Sequence, residues 1–189
     1  MRNRYRFACR VASAALLVLS LCLPASAASP EDDPAVPAIL DRAESIFQSM
    51  KVSDYPAIFA ALSAKSRETI VAETTTALLA AAGKQAPPGG PPSVDAPTIP
   101  VKNPPPGLEA VRSDFAAGGP IARDYWDAFL RRFDPDAALE HSRWEIGSVE
   151  KDRAEILLTH HGADHPATLM MFLEDGGWKV GLVETFWSR

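Results

Sequence analysis

The stretch "RAEILLTHHGADHPATLMMFLEDGGWKVGLVETFW", Arg153–Trp187, decides the fold. Its apolar residues recur at every second position, the period of a half-buried strand. Turn residues interrupt it twice, at Gly162 to Pro166 and at Glu174-Asp175-Gly176-Gly177. Asp-Gly between two alternating runs is a strong short-range hairpin signal. One more alternating run, Arg143–Val149, precedes it across the turn around Lys151. Four strands are therefore predicted: Arg143–Val149, Arg153–His160, Ala167–Leu173 and Trp178–Trp187. Connections this short force antiparallel neighbours, so the strands form a meander.

Upstream of Ser142 the period lengthens to that of a helix. Val36, Ile39, Leu40, Ala43, Ile46, Phe47 and Met50 repeat at threes and fours, with Asp33 as a cap near Pro34. A short helix over Tyr55–Leu62 follows, capped by Asp54. A longer one starts at Ser63 and is expected to stop at Gly83. Leu108–Ala117 forms another, and Gly118-Gly119-Pro120 turns the chain into the next. There Ile121, Tyr125, Phe129 and Phe133 are spaced by four, with Trp126 and Leu130 beside them. Helices first and strands last make the class α+β, with N-terminal helices packed on a C-terminal four-stranded antiparallel meander.

The N-terminus reads as an address rather than as structure. Arg2, Arg4, Arg6 and Arg10 precede the apolar run Val11–Leu23, Pro24 breaks it, and Ala25-Ser26-Ala27 offers a cleavage site. This is the layout of a secretory signal peptide over residues 1–27. The run is shorter than the roughly 20 apolar residues of a membrane-spanning helix. Cys9 and Cys22 both lie in this segment, so the remaining domain, residues 28–189, would carry no thiol and form no disulfide. Removal also takes four of the 19 basic residues and none of the 24 acidic ones, which moves the net charge from −5 to −9. Phosphate backbones repel such a chain, so no nucleic-acid partner is expected. The expected location is periplasmic or extracellular.

Residues 85–107 hold nine prolines. Proline lacks a backbone donor and keeps its neighbours out of the helical region, so this segment is expected as an extended, solvated loop. A ligand for a proline-recognising partner is the functional alternative.

Two segments carry a resemblance. "IFQSMKVSDYPAIFAALSAKSRETIV" (Ile46–Val71) is similar to the helical signature of small exported bacterial domains in the nuclear transport factor 2-like or cystatin-like (SnoaL-like) group. "FLEDGGWKVGLVETFW" (Phe172–Trp187) resembles that group's last hairpin. The resemblance implies a cone of helices wrapped by the sheet. The proline-rich stretch departs from the pattern, because it stands where many members have a pair of strands. Members include steroid isomerases, dehydratases and pure binding or dimerisation modules, so the fold alone names no activity.

Candidate chemistry is sparse. His160, His161 and His165, with Asp164, are the weak candidates for a metal site. Neighbouring strand residues point to opposite faces, which separates His160 from His161, so no metal and no cofactor are expected. A pocket between sheet and helices would be lined by Tyr125, Trp126, Trp144, Met170, Phe172, Trp178 and Phe186. Glu145, Asp127, His141 and Tyr125 are the polar groups placed to reach it. Leu169, Met171, Leu173, Val183 and Trp187 would face outward as a dimer surface. Gly118-Gly119-Pro120 could hold an anion at a helix start or serve as a plain corner. Arg131-Arg132 suits the end of a helix dipole. No serine-nucleophile elbow, phosphate-binding glycine loop or His-Glu-x-x-His stands in the sequence. The expected function is a non-catalytic binding or dimerisation module, with a small apolar ligand, a second copy or an envelope protein as partner. The alternative is an isomerase or dehydratase using a buried acid.

Overall fold

The computed structural model describes residue 31 and residues 33–85 and 105–186. The segment expected as a signal peptide, most of the proline-rich stretch and Trp187 lie outside the described residues. Five helices come first: α1 (Val36–Lys51), α2 (Tyr55–Ala61), α3 (Ala64–Gln85), α4 (Leu108–Ala117) and α5 (Pro120–Leu130). A short α6 (Pro135–Glu140) leads into β1 (Ser142–Val149), β2 (Arg153–His160), β3 (Ala167–Glu174) and β4 (Gly177–Gly181). A five-residue α7 (Leu182–Phe186) closes the described chain. The sheet is antiparallel in the order β1-β2-β3-β4, so the α+β meander stands.

Local chemistry explains most element ends. Asp54 caps α2 by accepting from the Ala57 N–H at 3.1 Å. Asp175 and Gly176 both have positive φ, 51° and 76°, as a two-residue turn between right-twisted strands requires. Gly118 ends α4 in the left-handed region at φ 64°, and a Cβ there would lie 2.7 Å from the Pro56 ring. The following corner is no free anion site. The Asp114 carboxylate already accepts from the Ala122 N–H at 2.8 Å, inside the first turn of α5.

Three expectations are corrected. First, α1 starts at Val36, with Asp33 accepting from the Ala35 N–H just before it. Second, α3 runs through Gly83, which does not adopt the left-handed conformation of a terminating glycine. Third, the last strand is only half as long as its pattern suggests. "LVETF" alternates like a strand, yet tertiary partners wind it into α7. Thr185 Oγ1 donates to the Gly181 carbonyl at 2.7 Å and accepts the Met170 N–H at 3.0 Å. That last bond satisfies a β3 donor just where β4 stops. The Val183 N–H donates to Ser66 Oγ at 3.0 Å, while Ser66 Oγ donates to the Glu184 carboxylate at 2.7 Å.

One face of the sheet carries Ala154, Ile156, Leu169, Met171, Trp178 and Val180, all buried against the helices. The opposite face carries Glu155, Leu157, Thr168, Met170, Phe172 and Lys179, each half-buried. The free edge of β4 is covered by the α2–α3 junction: Leu62 pairs with Val180 in parallel, and the Ser63 N–H donates to the Val180 carbonyl at 2.9 Å. This cover guards an edge that would otherwise invite pairing with another chain. The Glu174 carboxylate accepts the Ala64 N–H at 2.8 Å, so the β3–β4 hairpin caps α3.

Aromatic rings run through the core as a chain. Phe59, Phe115, Tyr125, Trp126, Phe129, Phe133, Phe47 and Trp144 follow one another with neighbouring centroids 5.1 to 5.8 Å apart. Phe186 of α7 branches off it, 6.4 Å from Phe129 and 6.0 Å from Phe133. Such edge and tilted contacts add to plain area burial.

Candidate functional site

The pattern of four in α5 places its aromatic residues on two neighbouring stripes. Ala122 and Trp126 point into the core and are fully buried. Tyr125 and Phe129, one residue off that line, are half-buried at its margin. The helix ends at Leu130, and Arg131 and Arg132 follow as exposed residues. Phe133 then turns back onto Phe47 and Phe129. Phe186 closes the other side from α7. The result is an open cleft of about 500 Å³ lined by Tyr125, Ala128, Phe129, Arg131, Arg132, Phe133 and Phe186. That size lies within the range of small-molecule sites.

A second compartment of about 240 Å³ adjoins it and shares Arg132, Phe133 and Phe186 with it. Its wall is the inner face of the sheet at Leu158 and Leu169, with Phe47 and Ala138 across and Ala167 and His160 at the end.

The charges at the cleft are cationic. Among the described residues no carboxylate pairs with Arg131 or Arg132, nor with Arg42, Lys65, Arg67, Arg123, Lys151 or Lys179; what sets the two arginines apart is that they are adjacent and both line the cleft. Tyr125 is pushed up to about 12, first by burial and then by the negative charge of Glu73. Its phenol therefore stays neutral at ordinary pH.

Two other clefts offer less. The one lined by Leu40, Glu44, Gln48, Lys51, Leu139, Glu140 and Trp144 spans about 400 Å³. Its cation, one of its carboxylates and its indole already have partners. Lys51 is held by Asp136 and Glu140, which raise its pKa, and Trp144 Nε1 donates to the Ala138 carbonyl at 2.8 Å. The cleft between α3 and α5 joins Tyr125 to Glu73 and Asp124. Both carboxylates are exposed, so the buried acid that an isomerase-type proton transfer needs is not among them.

The predicted pocket residues do not form one pocket. Tyr125 and Phe186 meet in the aromatic cleft, and Trp144 lines the separate cleft against α1. Trp126 is sealed in the core, and Trp178 is buried beside α1 residues Ala38 and Arg42. Met170 and Phe172 lie on the opposite face of the sheet. The predicted dimer face is inverted likewise. Leu169 and Met171 are 1% and 0% exposed beneath the helices, and Val183 is buried in α7. Leu173 alone of the described set is exposed, at 40%, and Trp187 lies outside the described residues. Alternation tells which residues share a face, not which face the helices cover.

The expected polar groups have other duties. Asp127 accepts the Tyr55 hydroxyl at 2.6 Å, which raises the Tyr55 pKa. Glu145 binds Arg143 at 2.9 Å, and His141 is exposed where α6 passes into β1. His160 ends β2 and borders the second compartment, while His161 and His165 are exposed in the loop. Among the described residues no three His, Cys, Asp or Glu side chains converge as a metal site.

Phe129, Phe133, Arg131, Arg132 and Phe47 are the site residues that the pocket reading passed over. The signal was present in the spacing Tyr125, Phe129, Phe133, which runs past the helix end and alongside the arginines. No family model matches the chain, and no curated protein or solved structure does either. Among the described residues no helix is long and apolar enough to cross a membrane.

Proposed function

We propose that this chain is an exported, non-catalytic binding module of the nuclear transport factor 2-like or cystatin-like kind, whose aromatic cleft takes a small apolar molecule. One observation carries the reading. Phe129, Phe133 and Phe186 line an open cleft of about 500 Å³ instead of filling it. Rings left partly uncovered beside a formed cavity are what an apolar ligand needs, because its burial there removes water from both surfaces. Export, and with it an envelope or extracellular setting, rests on the signal-like layout of residues 1–27.

The test is titration with a neutral fluorescent probe, N-phenyl-1-naphthylamine. Saturable enhancement at one site is expected, with affinity weakened about tenfold or more in Phe129→Ala and Phe133→Ala. Absence of saturable binding in the folded chain would sink the reading.

Self-association is a second reading, favoured by the half-buried Leu157, Met170 and Phe172 on the sheet face away from the helices. Light scattering on Phe172→Glu against the parent chain tests it. A monomer in both at high concentration excludes it.

A further inference from the structure

We infer that the occupant of the aromatic cleft is a single-chain amphipathic anion, its acid head at Arg131 and Arg132 and its hydrocarbon chain passing Phe186 into the second compartment. The inference rests on the reading of the cleft as a binding site and adds the ligand's chemical class.

Three observations converge on it. The first is charge. The chain is acidic overall at −5, yet two adjacent guanidiniums stand at the cleft without a carboxylate partner among the described residues. A guanidinium presents a planar fork of donors that matches a carboxylate, sulfonate or phosphate. The second is adjacency. The two compartments share Arg132, Phe133 and Phe186 as lining, so one guanidinium borders both. The third is gradient. Beyond Phe186 the walls are mainly hydrocarbon, from Phe47, Leu158 and Leu169, with Asp134, Ser142, His160 and Thr185 as polar members, and the compartment holds about 240 Å³. That volume suits a short alkyl chain. A head that is charged and a tail that is apolar would satisfy both ends, whereas a neutral apolar molecule would leave the arginines without use.

Charge and shape thus select against the other occupants. A second copy of this acidic chain would bring mostly carboxylates, but on a folded surface rather than at the head of a free alkyl chain. The chain's own residues 187–189 continue from Phe186, and their removal is therefore one arm of the test.

The full chain is titrated by calorimetry with octanoate, decanoate and dodecanoate below their micelle thresholds, and with decanol as the neutral control. Decanoate should bind at least tenfold more tightly than decanol. Each added CH₂ should tighten binding about fourfold. Arg131→Gln combined with Arg132→Gln should abolish the preference for the acid and leave decanol binding intact. Ala167→Trp, at an exposed position that borders the second compartment, should flatten the chain-length series without touching the core. Unchanged melting temperatures serve as the folding control for both variants. Equal affinity for decanoate and decanol would overturn the anionic head, and an unaltered series in Ala167→Trp would overturn the path of the tail. Binding only by a chain truncated after Phe186 would assign the cleft to its own C-terminal residues instead. If the neutral probe binds and no alkyl acid does, this inference fails while the binding-module reading survives; if neither binds, both fail.

Discussion

Phe115 and Phe133 belong to the same chain of rings, and each has ring contacts on either side, yet one is sealed and the other is not. Phe115 is fully buried, touching Phe59 and Tyr125 between α2, α4 and α5. Phe133 is half-buried, stacked on Phe47 and flanked by Phe129 and Phe186 beyond the last turn of α5. The difference lies in the cover. Whole helices close the first end, whereas at the second α1 covers one side through Phe47 and the five-residue α7 covers another through Phe186. Identical side-chain chemistry thus builds core at one end and a cleft at the other. The lesson is that aromatic content does not mark a site; the incomplete cover does.

The comparison breaks if the two ends respond alike to truncation. The largest effect is expected at the sealed end, where Phe115→Ala and Trp126→Ala should each lower stability by about 3–5 kcal/mol in denaturant melts. Phe133→Ala should lose only about 1–2 kcal/mol, because part of its ring is already in water. Comparable losses at Phe115 and Phe133 would show that the second end is as closed as the first.

The hinge between the ends is next in size. Ser66 is fully buried, donates to Glu184 and accepts from the Val183 N–H. Ser66→Ala leaves that N–H without its partner and removes one of the bonds to the Glu184 carboxylate, which costs about 1–3 kcal/mol. Amide hydrogen exchange should rise at Val183 in this variant, because α7 loses its tie to α3. Exchange that stays parental would mean that packing of Leu182 and Val183 alone holds α7.

A pH effect comes last. Tyr125 is displaced upward to about 12 while an unfolded tyrosine titrates near 10. The unfolded chain therefore releases its proton first, and the folded chain keeps more protons between those values. Stability should be flat with respect to this group below pH 10 and fall as pH rises toward 12. Tyrosinate absorbance should show late transitions from both Tyr55 and Tyr125, of which the one belonging to Tyr125 disappears in Tyr125→Phe. Glu73→Gln should move that transition to lower pH by less than burial raised it, since Glu73 is the lesser cause.

How much of this was legible without coordinates depends on the range of the forces involved. The helices and the first three strands were readable because periodicity and turn residues are local: Asp175-Gly176 and the Gly118 corner follow from backbone conformation alone. The end of β4 was not. Its outcome is decided by Ser63, Ser66 and Met170, residues far away in the chain or on another strand. The orientation of the sheet was equally hidden, because Leu169 and Met170 alternate in either arrangement and only the docked helices choose between them. The cleft was half visible. Its ring spacing lay in the sequence, but the partnering of α5 with Phe47 and Phe186 is tertiary.

The hairpin that caps α3 sets a condition on how the chain acquires its structure. Glu174 holds the Ala64 N–H across 110 positions, and Glu184 meets Ser66 across 118. Helix α3 has a local cap, the Ser66 N–H on Ser63 Oγ at 3.1 Å, but the Ala64 N–H gains its partner only when the last hairpin has formed and docked. Contacts at such separation slow the search for the native state and bind its halves into one event. Helical and sheet signals should accordingly vanish together on unfolding, in a single cooperative step.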